Sequence, residues 1–310
     1  LCRGNIIPKE VNKDSLTLFR ESVDQFQKIM DDSGYIRLTR LTGDHLIGTP
    51  ESTGLIEKYL SLSDTGCLQD IELQADHVRV GDKITCLHTL SDMENLPGFV
   101  STDAENKTYS TDQTSCALSF GGNLGLLLDC NHIYNQYVFL DSPPEVLQKF
   151  EKSARTMLSL SRYSRANQIN RQWIELFLNE AHSKGLTAVR CHANVIAWSE
   201  KVSELKRVKN EVGSQITTMG CKARYNISDA ATLFWAAIPG NAADFPAEES
   251  FYTFLEQAVC FFSEETNYKT SLSPFGIKMC DRTGKPIHVD ISDEPMRRGI
   301  VTNRNMFVVG

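Results

Sequence analysis

The first hydrophobic pattern in the chain is a helical stripe near its beginning. Asp14 precedes apolar residues that recur every three or four positions, namely Leu16, Phe19, Val23, Phe26 and Met30. This spacing places the apolar side chains on one face of an α-helix, and Gly34 is suited to end that helix. The pattern therefore predicts a helix from Asp14 to Gly34 whose apolar face covers a hydrophobic core.

Between residues 35 and 141 the pattern changes to short apolar runs separated by polar turns. Runs rich in Val, Ile, Leu and Phe are typical of β-strands. The predicted strands are Lys83–Leu90, Phe99–Thr102, Cys116–Phe120, Leu124–Cys130 and Ile133–Leu140. The glycine-rich turn at 121–123 lies between two of these strands. A phosphate cradle at this turn is disfavoured, because the pattern places a strand after it, where a phosphate site needs a helix N-terminus.

A unit of alternating strands and helices follows. The segment Ser142–Glu145 has a capping serine, a proline at the first helical position and a glutamate three residues after the cap. A second helix carries apolar residues from Ile169 to Ala181 and ends at Gly185, after which the pattern predicts a strand, a helix and a strand up to Tyr225. The predicted fold class is α+β, with mixed sheets, helices on one face, and a β-αα-β-α-β unit from Ile133 to Tyr225.

The last part of the chain begins with a predicted helix at Pro246. Its aromatic stripe, which we expect to pack in a core, consists of Phe251, Phe254, Leu255, Ala258 and Phe262. A segment of linker composition follows, and then two apolar runs, Ile277–Asp281 and Ile287–Ile291, predict a β-hairpin. The final residues predict a short buried strand, Met306–Val309, which leads directly into Gly310.

Length and composition indicate a multidomain globular protein. The 310 residues exceed the size of a typical domain, and we divide them into 1–130, 131–270 and 271–310. Hydrophobic residues make up 41% and charged residues 23%, as in ordinary folded proteins. The net charge of −7 is spread along the chain, which disfavours a basic face for DNA. No apolar run is long enough to predict a transmembrane segment.

The cysteines predict reduced core thiols rather than disulfides or metal ligands. Nine cysteines occur at long intervals without CxxC spacing, and the seven histidines show no HExxH spacing. This usage favours a cytoplasmic location and predicts no metal site. An alternative is an enzyme with a nucleophilic Cys191 and His192 as its base. That alternative is weak, because neighbours on a strand point to opposite faces.

A second alternative is a module that binds single-stranded DNA or a relaxosome. Arg162, Tyr163 and Arg165 interleave positive charge with an aromatic ring, which is the combination that single-stranded nucleic acid prefers. A solvated helix face is the simpler explanation of these arginines. The acidic pairs Asp31-Asp32 and Glu264-Glu265 are predicted to be solvated and not to form a catalytic carboxylate pair.

Several stretches of the chain resemble a known family. They are Leu1–Glu10, Cys130–Tyr137, Pro239–Tyr252, Ser273–Lys278, Gly284–Asp293 and Gly299–Gly310. They resemble the TraG-type ATPases of Bacteroides-type conjugative transposons, which belong to the type IV secretion ATPase family. The last three stretches are similar to the region immediately before the Walker A loop of those proteins.

The resemblance implies that this chain is the N-terminal region of a hexamer-type motor that hydrolyses ATP to assemble a conjugation channel or drive transfer through it. Residues 271–310 would then open a RecA-like P-loop domain. Gly310 would be the first Walker A residue, whereas the residues that bind ATP and Mg²⁺ would lie beyond it. We therefore expect a non-catalytic docking and regulatory region without a cofactor of its own. Its expected partners are channel proteins, its own ATPase domain and further copies of itself, and its expected location is cytoplasmic and peripheral to the inner membrane.

Overall fold

The structure is a computed structural model. It describes residues 12–33, 38–101, 104–105, 117–125, 127–161, 163–263, 271, 273–280 and 286–307. Helices and strands are mixed along these residues, which confirms the predicted fold class.

The helices and strands have the following bounds in chain order. The helices are α1 (Lys13–Ser33), α2 (Gly43–Ile47), α3 (Leu55–Ser61), α4 (Gly122–Gly125), α5 (Pro143–Leu160), α6 (Arg165–Lys184), α7 (Val202–Thr218), α8 (Ala230–Ala236), α9 (Leu255–Val259) and α10 (Asp293–Arg297). The strands are β1 (Gly48–Thr49), β2 (Ser52–Thr53), β3 (Ile71–Leu73), β4 (Val78–Val80), β5 (Lys83–Leu90), β6 (Ala104–Glu105), β7 (Ala117–Leu118), β8 (Asn131–Phe139), β9 (Ala188–Ser199), β10 (Arg224–Tyr225), β11 (Phe251–Phe254), β12 (Ile277–Cys280) and β13 (Pro286–Val289).

The chain divides into two compact units. Unit 1 consists of Leu1–Cys86, Glu200–Val202 and Ile227–Ala247, and unit 2 of Leu87–Ser199, Ser203–Asn226 and Glu248–Gly310. The predicted division into 1–130, 131–270 and 271–310 rests on sequence patterns alone and stays a prediction.

The core of unit 1 lies between an antiparallel meander and helix α8. Strand β4 pairs with β3 and with the beginning of β5, in register Ile71 with Val80 and Arg79 with Ile84. Val78 and Val80 are buried, as are Leu233 and Phe234 of α8. The Tyr59 hydroxyl donates a hydrogen bond of 2.7 Å to the carbonyl oxygen of Phe234, which anchors α3 to α8.

Helix α1 forms where the sequence predicts it but does not cover a core. None of its residues is buried, and both phenylalanines of the predicted stripe, Phe19 and Phe26, are more than half exposed. Polar contacts tie α1 to the segment after it: Arg40 donates to Gln27 and Asp24, and Gln27 donates to the Leu38 carbonyl. The prediction of a core-covering helix is therefore wrong, because amphipathic spacing shows that a face is apolar but not that another element lies against it.

The predicted β-αα-β-α-β unit is confirmed in unit 2. Strand β8 pairs antiparallel with β9 along its whole length, from Asn131 opposite Trp198 to Phe139 opposite Arg190. Two long helices, α5 and α6, connect these strands, and α7 follows β9. The last strand, β10, pairs with the end of β5 through Thr89 and His88 rather than with β8 or β9.

The helical hairpin of α5 and α6 packs onto the sheet through aromatic side chains. The ring of Phe177 lies 4.9 Å from that of Phe150 and stacks at 4.5 Å on that of Phe254 in β11. As predicted, α5 begins with prolines after Ser142, and α6 ends at Gly185, whose φ of +65° is the left-handed conformation that a helix-ending glycine supplies.

Two predicted strands before this unit are wrong. Phe99–Ser101 has no regular structure, and Phe99 is exposed. The segment predicted as Leu124–Cys130 begins instead within the short helix α4, and Leu127–Cys130 is irregular. Only Ala117 and Leu118 of the run Cys116–Phe120 form a strand, and Cys116 lies outside the described residues. Phe120, Leu124 and Leu128 in these runs are buried, which explains their apolar character. A side chain can be buried without belonging to a strand, so the apolar pattern alone was misleading.

The helix predicted from Pro246 is also wrong over most of its length. Ala247–Glu249 is a 3-10 turn, Phe251–Phe254 is strand β11, and only Leu255–Val259 is helical. Strand β11 pairs with Ala188–Cys191 of β9, and both Phe251 and Phe254 are buried as predicted. The open edge of β9 supplies backbone partners that outweigh the local helical spacing, and the sequence Phe-Tyr-Thr-Phe suits a strand.

Candidate functional site

The segment that carries the strongest family resemblance forms a β-hairpin followed by a short helix. Strands β12 and β13 pair antiparallel from Ile277 opposite Val289 to Cys280 opposite Pro286, which confirms the predicted hairpin. Ser271 joins it from outside, because its backbone N–H donates a 2.8 Å hydrogen bond to the carbonyl of His288. Gly276 lies within this hairpin at a close approach: a Cβ there would come within 2.6 Å of the Val289 carbonyl oxygen.

Asp290 is the organising side chain of this segment. It is buried, and its carboxylate accepts backbone hydrogen bonds of 2.9, 2.9 and 3.0 Å from Ser292, Asp293 and Glu294 at the start of α10. A hydrogen bond from the Ser273 side chain, followed by these backbone donors, holds the pKa of Asp290 well below its ordinary value. The charged carboxylate thus caps α10 and ties it to the end of β13.

Further polar contacts hold α10 in place. The Ser271 hydroxyl donates to the Glu294 carboxylate, and Arg298 pairs with the same carboxylate one helical turn later. Arg304 forms an ion pair of 2.8 Å with Asp293. The two acids in the first turn of α10, Asp293 and Glu294, therefore link this helix to Ser271 before the hairpin and to the arginines after the helix.

The same segment has a large exposed apolar surface. Phe275 before the first strand and Ile277 and Met279 on it are more than half exposed, and further along the segment Ile300, Met306 and Phe307 are also exposed, with Phe307 at 95%. Met306 and Phe307 have no regular structure, so the predicted terminal strand is absent at these two residues, and residues 308–310 lie outside the described part.

A comparison with protein families decides what this segment is. Residues 276–310 match the family of the TraG P-loop domain. The match confirms the TraG-type resemblance over these residues. We call residues 276–310 the TraG segment. It contains the β12–β13 hairpin, Asp290 and α10. No curated protein matches the chain significantly.

The structure tests only part of the predicted site residues. Gly310, the expected first Walker A residue of the TraG segment, and Arg162 lie outside the described residues. Tyr163 is 85% exposed in the turn between α5 and α6, and Arg165 is exposed at the start of α6. Tyr163 and Arg165 are therefore both accessible to a partner, while DNA contact at these residues stays a prediction.

The pair Cys191 and His192 is built into the core and offers no nucleophile. Both residues are completely buried, and burial raises the pKa of the Cys191 thiol to about 12. The His192 Nδ1–H donates to the carbonyl of Glu249, and Nε2 accepts from the Asn194 amide, which is 2.9 Å away. Burial lowers the pKa of His192 to about 4, so the imidazole is neutral and both of its nitrogens are engaged.

The described residues contain no group of three or more histidine, cysteine, aspartate or glutamate side chains arranged to hold a metal ion. None of the helices in this part of the chain combines the length and the hydrophobicity needed to cross a bilayer. Among the described residues, cysteines 67, 86, 130, 191, 221 and 260 are free thiols.

Sequence analysis missed the role of Asp290, which it placed inside a strand. The signal was present, because Ser292-Asp293-Glu294-Pro295, which begins two residues after Asp290, is typical of a capped helix start with proline in its first turn. The apolar alternation of Ile287, Val289 and Ile291 made the strand prediction continue two residues too far.

We predict that Asp290→Asn loosens the start of α10. The carboxylate now accepts hydrogen bonds from backbone N–H groups, and the side-chain amide of asparagine would turn an N–H group of its own towards them. Hydrogen exchange at residues 292–294 should therefore accelerate on the order of tenfold at neutral pH. The exposed Asp129→Asn is the matched control and should leave these amides unchanged. Because the pKa of Asp290 is depressed, the native cap persists as pH falls through the ordinary aspartate range and is lost only below it. Unchanged exchange in Asp290→Asn would show that the carboxylate does not support the cap.

Proposed function

We propose that this chain is the docking and regulatory N-terminal region of a conjugation ATPase of the type IV secretion family. The observation that carries the proposal is the position of the TraG match at residues 276–310. The matched P-loop sequence follows more than 270 residues that fold into units with their own cores. Those residues lie outside the matched domain, which favours a role in contacts and control rather than in nucleotide chemistry.

The first partner in this proposal is the protein's own ATPase domain. Exposed apolar side chains on the TraG segment, such as Ile277 and Met279, suit packing against further secondary structure of a P-loop domain. The link through Ser271, His288 and Glu294 would couple movement of that domain to the segment before it. ATP and Mg²⁺ would bind to the full-length protein, whereas residues 1–310 need neither.

The remaining partners follow from the resemblance. Channel proteins of the secretion machinery would dock on the units before the TraG segment, and the full-length protein would assemble as a hexamer or another homo-oligomer. The proposed location is cytoplasmic and peripheral to the inner membrane. The free thiols at both buried and exposed positions fit a reducing compartment.

We predict that residues 1–310 are inert towards ATP. Phosphoryl transfer depends on a lysine, a metal-binding hydroxyl and a helix N-terminus that position the phosphates, and the resemblance assigns only Gly310 of this chain to that loop. Steady-state assays and titration calorimetry with Mg-ATP should show no turnover above the blank and no binding in the micromolar range. Turnover by the purified chain would contradict the non-catalytic assignment.

The docking role is tested by competition in donor cells of the native conjugation system. An excess of residues 1–310 should occupy the docking partners of the intact ATPase and lower DNA transfer. Transfer by an unrelated conjugation system in the same cells is the control and should remain unchanged. Equal loss in both systems would indicate general toxicity, and no loss in either would argue against docking.

A further inference from the structure

Helix α8 and the turn after it enclose a hollow on the surface of unit 1, which we call the α8 hollow. Its volume is about 580 Å³, within the range of ligand pockets. The lining consists of three residues of α8 and three residues at the 3-10 turn that follows, namely Ala231, Thr232, Trp235, Ala243, Asp244 and Phe245. All six belong to the stretch Ile227–Ala247 of unit 1, so the hollow lies within a single unit.

The sequence of α8 explains why one side of this helix is open. Leu233 and Phe234 are buried in the core of unit 1, and the helical period places residues 231, 232 and 235 on the opposite side. Trp235 is 51% exposed there, although its large ring would gain from burial. The indole therefore forms an accessible aromatic wall of the hollow.

The turn that faces α8 is held at both of its ends. The side-chain amide of Asn241 donates a 3.0 Å hydrogen bond to the carbonyl oxygen of Trp235, and its backbone N–H donates a 2.8 Å bond to the Ile238 carbonyl. At the other end, the ring of Phe245 is buried. The hollow is thus formed in advance, and a ligand would not have to order it.

The lining combines an aromatic ring with an unpaired negative charge. Asp244 is the one charged residue among the six that line the hollow. In the part of the chain that the structure describes, no residue bonds to its carboxylate or to the hydroxyl of Thr232. The face of an indole ring attracts cations, and so does a carboxylate, so both groups select a positively charged ligand.

We propose that the α8 hollow binds the guanidinium group of an arginine side chain from a partner protein. A planar guanidinium stacks on an aromatic ring and donates two parallel N–H bonds to a carboxylate, whereas an ammonium is a compact point charge. Trp235 and Asp244 supply these two contacts, and the Thr232 hydroxyl can accept a further N–H. Because most of the lining is exposed, one side of the ligand stays open, which suits a side chain that projects from a larger surface.

This inference stands on the geometry of unit 1 and not on the proposed docking role. The family match covers residues 276–310 and assigns nothing to α8 or to the turn after it. A partner protein that carries the arginine would be recognised by that one side chain, so weak binding is expected for the side chain by itself.

NMR titration of isotopically labelled residues 1–310 with the peptide acetyl-Gly-Arg-Gly-amide tests the proposal. The chain has three tryptophans, and the indole N–H signal that disappears in Trp235→Phe belongs to Trp235. This signal should shift saturably, with a dissociation constant in the low millimolar range. The same peptide with citrulline in place of arginine should bind at least about fivefold more weakly, because it keeps the shape but loses the charge.

Two variants of the lining locate the site. Asp244→Asn and Trp235→Ala should each weaken binding of the arginine peptide by about fivefold, measured on the backbone amide signals of residues 243–245. Glu51→Gln is the matched control for charge, because it removes an exposed carboxylate outside the hollow. Trp173→Ala is the control for an exposed tryptophan, and both controls should bind like the native chain.

Several results would overturn the proposal. They are the absence of a saturable shift, equal binding of the arginine and citrulline peptides, and native affinity in Asp244→Asn. Tighter binding of the corresponding lysine peptide would assign the hollow to an ammonium group, and tighter binding of free L-arginine would assign it to a small molecule instead of a partner protein. The titration needs no conjugation system, so its failure would leave the competition test of the docking role unaffected.

Discussion

Gly121→Ala should destabilise unit 2 by roughly 3 kcal/mol. A Cβ at this position would lie 2.1 Å from the carbonyl oxygen of Phe261 and 2.7 Å from its carbonyl carbon. These are backbone atoms held on both sides: the Gly121 N–H donates a 3.0 Å hydrogen bond to the Cys260 carbonyl, and the Tyr134 hydroxyl donates to the Phe261 carbonyl at 2.7 Å. Relief of the overlap would therefore break contacts between α4, β8 and the turn after α9.

The matched control for this variant is Gly98→Ala. A Cβ at Gly98 meets no atom within 4 Å, so the free energy of unfolding should change by about 0.5 kcal/mol or less. Urea denaturation monitored by tryptophan fluorescence measures both variants. Equal stability of the two would show that the turn after α9 can move away from α4 without loss of packing.

The protein should lose stability steeply as pH falls from about 6.5 to about 4. Burial is the main cause that lowers the pKa of His192 and of His88 to about 4, and nearby Lys209 adds to the effect at His88. Both folded-state pKa values lie below the ordinary value near 6.5, so the unfolded chain takes up these protons first. The free energy of unfolding therefore has its full value above the ordinary histidine pKa and decreases as the pH falls. The part lost through His192 reaches roughly 3 kcal/mol once the pH is near its folded-state pKa or lower.

Substitution of His192 identifies its share of this loss. Glutamine can donate to the Glu249 carbonyl and accept from Asn194, so His192→Gln should be folded at neutral pH and show a shallower loss of stability below pH 6.5. His182→Gln, at a position 60% exposed by its side chain, is the control and should follow the native profile. A native-like slope in His192→Gln would mean that other groups cause the acid sensitivity.

The sequence alone determined the elements whose signals are local. The prolines after Ser142 set the start of α5, although the Ser142 side chain makes no capping hydrogen bond, and the left-handed Gly185 ends α6, because these signals act within one turn of the chain. Strand β9 and the hairpin of the TraG segment could also be predicted from the sequence. The alternation that indicates β9 and the turn that indicates the hairpin both lie within the segments themselves. The resemblance located the TraG segment for the same reason, as its identifying residues are contiguous.

Tertiary structure decided the rest, because the competing interactions come from distant residues. Phe251–Phe254 has helical spacing but becomes a strand, since the edge of β9 provides hydrogen-bond partners about sixty positions away in the chain. The face of α1 has the pattern of a core helix, yet nothing in the pattern indicates whether another element lies on it. Asp290 accepts its cap hydrogen bonds from local residues, but its hydrogen bond from Ser273 forms only because the hairpin brings that serine back to it. Local periodicity therefore determines which side chains share a face, whereas the partner of that face depends on long-range packing.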